Sequence, residues 1–281
     1  MSKKVCFSDI DGTIMHQPET IDPGVEVLCA PPSASGRRGV ISAGTIQGVA
    51  KLRSHGVKFA VITGARLSTL LMRLPFLPAC DAYVCESGGR IFYPGSHLDT
   101  ACPIREDDMW RASQEGAGPV DQDIIEPEKR EGLLWTFYRE LKQQGWTIDA
   151  NGYTTSIRVH AKNGKSMAEL QSLASPAPSG LSCSFNLGAA DFYPATSGKL
   201  QAAKYLMKCW SIDSKDSVFL CDDDNDMELA LQVGKAFLPS ITSDSVRMAI
   251  DANKDQFVTA TKQGTAASEE MIEAVMQHFQ L

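Results

Sequence analysis

The sequence predicts an α/β fold, a Rossmann-like parallel sheet interrupted by an inserted α+β unit. Short β-rich apolar runs alternate with helical patterns from residue 5 to residue 85, the signature of βαβ units. The alternation stops after Tyr93, and it returns from Gly198. In order, strands are expected at 5–10, 58–63 and 82–85, with helices at 45–55 and 67–74 between them. The intervening stretch 18–42, rich in Pro, Ser and Gly, reads as a long loop. Helices at 106–114 and 126–144 and strands at 146–150, 155–161 and 181–187 make up the inserted unit. A helix at 198–210, a strand at 217–221 and helices at 227–233 and 268–279 then complete the first unit. The expected division is a core of residues 1–92 and 191–281 with an insert at 93–190, and ligands are expected where the parallel strands end and the insert faces them.

The 281 residues carry 27 Lys and Arg against 34 Asp and Glu, a formal net charge of −7, which lacks the basic footprint of a nucleic-acid or anionic-membrane binder. With 43% hydrophobic and 22% charged residues the chain reads as globular, and no apolar run approaches the roughly 18 residues of a membrane span. The N-terminus passes within four residues into a strand-like run, leaving no room for a signal peptide. Eight cysteines without a C-x-x-C pair or a His at zinc spacing read as reduced thiols, so the cytosol is the expected compartment.

Four short stretches carry chemistry. Asp9-Ile10-Asp11-Gly12-Thr13 follows the apolar run Val5-Cys6-Phe7; residues two apart on a strand share a face, so Asp9 and Asp11 can reach one pocket. Two close carboxylates can divide nucleophile and general-acid roles, although D-x-D alone is as readily a polar turn. Asp222-Asp223-Asp224-Asn225-Asp226 also follows an apolar run, and a strand end with five oxygen-bearing side chains suits a hard cation such as Mg²⁺. Some of these acids also favour the dipole of the helix from Met227. Thr63-Gly64-Ala65-Arg66 puts a hydroxyl and open main-chain amides at a helix start, where a phosphate oxygen or a simple cap bond would fit. Lys199, just after the insert returns, can neutralise an acidic pocket or a phosphoryl group, or sit in solvent like most lysines.

Taken in this order, D-x-D-G-T, Thr63, Lys199 and D-x-x-N-D resemble the four motifs of the haloacid dehalogenase (HAD) superfamily. The insert after Glu86-Ser87-Gly88-Gly89 and its αβ character resemble the Cof-like, type IIB branch that includes sucrose-phosphate phosphatase-like enzymes. The resemblance covers nearly the whole chain. It implies a HAD core with an α+β cap, and a hydrolase acting on a small phosphorylated metabolite, a sugar or polyol phosphate. It makes Asp9 the nucleophile that forms an aspartyl-phosphate and Asp11 the acid and then the base. Thr63 and Lys199 would hold the phosphoryl oxygens, with Gly64, Arg66 and Arg158 as further substrate contacts. Asp9, the carbonyl of Asp11, Asp222, Asn225 and Asp226 would hold Mg²⁺. Two features depart from the family pattern: Cys221 stands where Gly is usual, and both variable positions are acidic, Asp223 and Asp224; Asp222 is taken as the ligand because that choice leaves Asn225-Asp226 at the family spacing. The stretch 18–42 is long for the family. Asn151, Thr154 and Asn186 join Arg158 as candidate hydroxyl-recognition residues in the cap. A phosphomutase and a receiver-like phosphoacceptor switch are the alternatives; the acid at Asp11 and the large insert speak against the switch. The expected partner is a phosphorylated metabolite, with neither nucleic acid nor membrane, and the oligomeric state stays open.

Overall fold

The computed structural model describes residues 3–21, 24–32, 36, 38–95, 104–186 and 188–281. Its strands in chain order are β1 Val5–Ser8, β2 Val27–Ala30, β3 Gly39–Ser42, β4 Lys58–Ile62, β5 Ala82–Cys85, β6 Arg90–Pro94 and β7 Ile104–Glu106. They continue with β8 Thr147–Asp149, β9 Ile157–His160, β10 Leu181–Asn186, β11 Ala189–Pro194, β12 Ser217–Leu220, β13 Lys235–Leu238 and β14 Phe257–Thr259. The helices are α1 Ala43–Ser54, α2 Leu67–Arg73, α3 Asp108–Ala112, α4 Leu133–Gln143, α5 Met167–Ala174, α6 Lys199–Trp210, α7 Met227–Ala230, α8 Asp244–Ala252 and α9 Gly264–His278.

The larger sheet runs β14-β13-β12-β1-β4-β5-β6-β7, parallel from β14 through β5 and antiparallel at β6 and β7. A sheet covered on both faces demands apolar side chains at consecutive positions, which is how Val5-Cys6-Phe7 reads. Alternation then sorts them: Cys6, Phe59, Val61, Val218 and Leu220 enter one buried cluster, while Val5, Phe7, Ala60, Ile62 and Phe219 enter the cluster on the other face. The smaller sheet, β10-β11-β9-β8, is antiparallel. It packs its own core of Trp135, Phe137, Leu141, Ile157, Val159 and Phe192 against α4.

The expected boundary at residue 93 falls inside β6, and that at residue 190 inside β11 of the smaller sheet. Chain beyond residue 93 therefore still serves the larger sheet. Trp110 on α3 joins its buried cluster, with its ring 4.8 Å from that of Tyr205. The stretch 18–42, expected as a loop, instead carries the antiparallel hairpin β2–β3, whose Val40 and Ile41 are buried. Val27-Leu28-Cys29 and Gly39-Val40-Ile41 are strand-like, but the Pro- and Ser-rich segment between them dominates the reading of that stretch. The helix expected over 126–144 begins only at Leu133, because Gly132 takes φ 111° and Pro127 starts a separate turn. Residue 187, the expected end of a strand, lies outside the described residues. No helix among the described residues is long and apolar enough to cross a membrane.

Candidate active site

Parallel pairing in register brings the ends of β1, β4 and β12 to one edge of the sheet. Ser8 lies beside both Val61 and Leu220, so the residues that follow emerge together. The Asp9 main-chain N–H donates to the Leu220 carbonyl at 2.9 Å, tying the first acidic motif to the last. There the carboxylates of Asp9, Asp222 and Asp226, all buried, offer oxygen atoms that lie within 4.8 Å of one another.

Lys199, the first residue of α6, enters this cluster. Its Nζ donates to Asp9 Oδ2 at 2.8 Å and to Asp226 Oδ1 at 2.6 Å, and the ammonium is itself buried. Burial works against the charge on Lys199, but Asp226 and Asp9 outweigh it and hold its pKa above the ordinary lysine value. Burial pushes the Asp9 carboxyl up to about 7, against the pull of Lys199 and with the repulsion of Asp226 added. Asp222 is also pushed well up, by burial first and then by Asp226 and Asp9. One buried cation thus faces three buried carboxylates.

The remaining carboxylate oxygens are oriented from several directions. Ile10 N–H donates to Asp9 Oδ1 at 2.7 Å and the Thr13 hydroxyl donates to Asp222 Oδ1 at 2.6 Å. The Asp222 and Asp223 amides donate to Asp226 Oδ2 at 3.2 and 3.3 Å. Gly12 closes the turn at φ 82°, and a Cβ there would stand 2.1 Å from Asp222 Oδ2. That close approach explains the glycine.

Asn225 Oδ1 is buried without a hydrogen-bond partner. An orphaned oxygen on the residue next to Asp226, together with three converging carboxylates and no sulfur or imidazole ligand among them, is a donor set that fits a hard divalent cation such as Mg²⁺. Asp223 and Asp224 are occupied differently: Asp223 caps the turn that follows and accepts from Thr242, while Asp224 accepts from Ser243 and Ser245.

Thr63 is buried at the end of β4, and its hydroxyl accepts from the Ala65 amide at 3.1 Å. Gly64 faces Ser87 Oγ, Asn186 Nδ2 and Asn225 Nδ2, which lie 3.4, 3.5 and 3.8 Å from where its Cβ would be. Ser87 adopts φ 53° and its hydroxyl is buried without a partner. Ser87 was visible in the sequence only as part of Glu86-Ser87-Gly88-Gly89. Nothing about a serine advertises a left-handed backbone; the pair of glycines after it was the available signal.

Asp9 and Asp11 line the same cleft, a cavity of about 880 Å³ that extends from the acidic cluster to Asp149, Tyr153, Arg158, His160 and Asn186 of the smaller-sheet unit. Asp11 stands apart from the three-carboxylate cluster. Its side chain is 55% exposed and accepts from Nη1 of buried Arg73 at 2.5 Å, a partner the sequence did not flag. Arg158 lines the cleft and forks onto Asp191, Nε and Nη2 each lying 2.6 Å from a carboxylate oxygen. Arg66 also lines it, with Nη1 and Nη2 on Asn151 and Asp149. Thr154, expected as a hydroxyl-recognition residue, is buried, and its amide and hydroxyl donate to Glu86.

A family model described as sucrose-6F-phosphate phosphohydrolase matches residues 46–280, most of the chain, starting after the Asp9 motif. A sequence comparison with curated proteins found no match. Among solved structures, the sucrose-phosphatase of Synechocystis sp. PCC6803, solved in complex with sucrose and phosphate, is similar at a TM-score of 0.67 and 14% identity, over 100% of this chain and 99% of that one. A phosphatase of the haloalkanoate (HAD) enzyme superfamily from Bacteroides thetaiotaomicron is similar at a TM-score of 0.63 and 14% identity, over 99% and 96%. The haloacid dehalogenase-like hydrolase yhjK of Bacillus subtilis gives a TM-score of 0.58 at 13% identity, over 99% and 92%. With four motif regions meeting at one sheet edge and a family model matching most of its length, the chain belongs to the sucrose-6F-phosphate phosphohydrolase family of HAD-superfamily phosphatases.

Proposed function

We propose that this phosphatase hydrolyses a small phosphorylated sugar or polyol in a Mg²⁺-dependent reaction through an aspartyl-phosphate on Asp9. The observation that carries the reading is the convergence of Asp9, Asp222 and Asp226 within 4.8 Å, with Asp9 and Asp222 lining the cleft and Asp226 buried behind them. Three buried carboxylates beside one ammonium, which pairs with Asp9 and Asp226 only, carry excess negative charge that a structural role does not require. Asp222, Asn225, Asp226 and Asp9 would hold the cation, together with the carbonyl of Asp11. When bound, it supplies the positive charge that offsets repulsion between an anionic nucleophile and an anionic phosphate.

Asp9 is held by Lys199 and the Ile10 amide, so its carboxylate is oriented before substrate arrives. Attack forms an Asp9 oxygen–phosphorus bond as the ester P–O bond breaks. Asp11 gives its proton to the leaving alkoxide, then takes one from the water that releases phosphate and regenerates Asp9. Thr63, the Gly64 amide and Lys199 hold the non-reacting phosphoryl oxygens. Arg158 uses Nε and Nη2 on Asp191, and offers Nη1 to the distal part of the substrate. The unit built on the smaller sheet acts as a cap that excludes water from the cleft. Cys6, Cys29, Cys80, Cys85, Cys183, Cys209 and Cys221 are free thiols, which supports a reducing compartment, the cytosol.

The test is phosphate release from a panel of sugar and polyol phosphates, with and without EDTA, in wild type and Asp9→Asn. We expect EDTA and the substitution each to abolish turnover while the folded signal persists. Turnover by Asp9→Asn at the wild-type rate overturns the reading, and phosphoryl transfer to a second hydroxyl in place of phosphate release identifies a mutase.

A further inference from the structure

The guanidinium of Arg66 does not point at a free oxyanion position. Nη2 lies 2.6 Å from Oδ2 of Asp149, the last residue of β8, and Nη1 lies 2.5 Å from the carbonyl of Asn151 in the turn that leads to β9 of the smaller-sheet unit. Its charge sits 4.7 Å from the centre of the Tyr153 ring. The turn is shaped to receive it. Asp149 Oδ1 accepts from the Asn151 amide at 3.1 Å, which leaves Oδ2 to Arg66. Gly152 adopts φ 71°, and a Cβ there would press within 3.3 Å of Arg66 Cδ. Three contacts of different chemistry therefore converge on one side chain.

The same turn is fastened a second time, a few residues on. Glu86, fully buried, accepts from the amides of Thr154 and Thr155 at 2.8 and 2.7 Å and from the Thr155 hydroxyl at 2.9 Å. The two attachments differ in exposure. Glu86 is sealed from water, whereas the Arg66 and Asp149 side chains are 13% and 34% exposed. Salt screens an ion pair that water can reach and leaves a buried carboxylate–amide attachment in place.

We propose that Arg66 is a positioning residue which docks the 149–153 turn over the reaction cleft, so that its guanidinium is spent on the turn rather than on substrate, with Glu86 as the fixed anchor and Arg66 as the salt-sensitive one. Arg66, Asp149 and Tyr153 all line the cleft that contains Asp9, so loosening the turn widens the substrate cavity while leaving the acidic cluster untouched. This rests on the proposed reaction only for its kinetic readout.

The experiment compares Arg66→Met, Asp149→Asn and the double variant with wild type, with Arg66→Lys as the milder change should Arg66→Met fail to fold. Hydrogen exchange across residues 147–153 is read alongside kcat and KM for the best substrate of the panel. For a partly exposed pair reinforced by a ring contact we expect each single variant to raise KM about tenfold with kcat changed less than about threefold, and the double to be no worse than the worse single. Exchange at the turn should rise in both single variants, independent of turnover. Raising salt from about 50 to about 500 mM should raise KM by a larger factor in wild type than in the variants, which keep only the screening of the anionic substrate itself. Asp149→Asn also removes a charge beside Arg158, its strand partner, so an effect seen in that variant without one in Arg66→Met overturns the proposal. Loss in Arg66→Met with a normal Asp149→Asn, or additive losses, means the guanidinium works on substrate and also overturns it. Unchanged exchange at the turn overturns it whatever the kinetics, whereas a dead wild type with the expected exchange pattern would refute the proposed reaction and leave the docking role standing.

Discussion

Replacing Lys199 by Met removes the cation that buried Asp9 and Asp226 share beside a third buried carboxylate, Asp222, and the structure sets the size of the effect. At an effective dielectric of about 20, charges 2.8 and 2.6 Å apart attract by about 6 kcal/mol per pair, a gain that desolvation of the buried ammonium largely opposes. Removing one partner of such a pair leaves uncompensated charge, which costs about 3–5 kcal/mol. In a chain of this size each kcal/mol is worth about 2–4 °C, so the unfolding midpoint of the metal-free protein should fall by about 6–20 °C. The loss has a pH signature. Asp9 is held up near 7 in the folded state against an ordinary 3.8, so its contribution to stability is fully present below 3.8 and fades as pH rises through about 7. Without Lys199 the carboxylates can be neutralised only by protons or by a divalent ion. The penalty should therefore be smaller at pH 5.5 than at pH 8, and millimolar Mg²⁺ should restore at least half of it at pH 8. Thermal unfolding of wild type and Lys199→Met at both pH values, with EDTA and with Mg²⁺, measures all three effects. An equal penalty at both pH values, or no recovery with Mg²⁺, would refute the claim that this lysine is the cluster's counter-charge.

Three further outcomes follow from neighbouring contacts. Gly12→Ala would place a Cβ 2.1 Å from Asp222 Oδ2 at φ 82°, so Asp222 must move; the Mg²⁺ concentration for half-maximal turnover should rise about tenfold or more, and an unchanged midpoint would take Asp222 out of the metal site. In wild type the raised carboxyls of Asp9 and Asp222 mean that protons compete with the cation, so Mg²⁺ should lift the unfolding midpoint more at pH 8 than at pH 5.5; the reverse order contradicts the site. Burial lowers His16 to about 4 from 6.5 while Ser268 Oγ lies 2.6 Å from its Nε2, so its contribution is complete above 6.5 and is lost as pH falls toward 4. At about 1.36 kcal/mol per pH unit that contribution reaches about 3 kcal/mol, and His16→Phe should flatten the acid limb of stability; an identical acid limb in denaturant titrations would show that another group controls it.

How much of this was readable in the chain follows from which interactions are local. Val5-Cys6-Phe7 and Phe59-Ala60-Val61-Ile62 announce buried parallel strands because covering a sheet on both faces favours apolar residues at consecutive positions. The hairpin β2–β3 was missed because its two four-residue strands are separated by a Pro- and Ser-rich segment, and Val40 is recognisable as core only once His16 pairs with it across the sheet edge. Tyr93 sits inside β6, which adds antiparallel to β5 through the four residues Glu86-Ser87-Gly88-Gly89, and a short connection leaves little trace in composition.

At the site, the motifs carried the positions of the charges but not their partners. Asp9, Lys199, Asp222 and Asp226 lie as much as 217 residues apart in sequence and were joined only by the resemblance of their order, since nothing local requires a lysine after an insert to reach two carboxylates. Partners decide what a charge can do. Arg66, read as a substrate contact, finds Asp149 and Asn151; Asp11, read as acid and then base, finds Arg73. The first pairing joins the two sheet units and the second joins the chain just after β1 to α2, so each depends on packing across the fold and not on any window of the chain. An arginine already held by a carboxylate and a carbonyl must release them to bind a phosphate, so the competing partner, and not the motif, sets whether the sequence reading of such a residue survives.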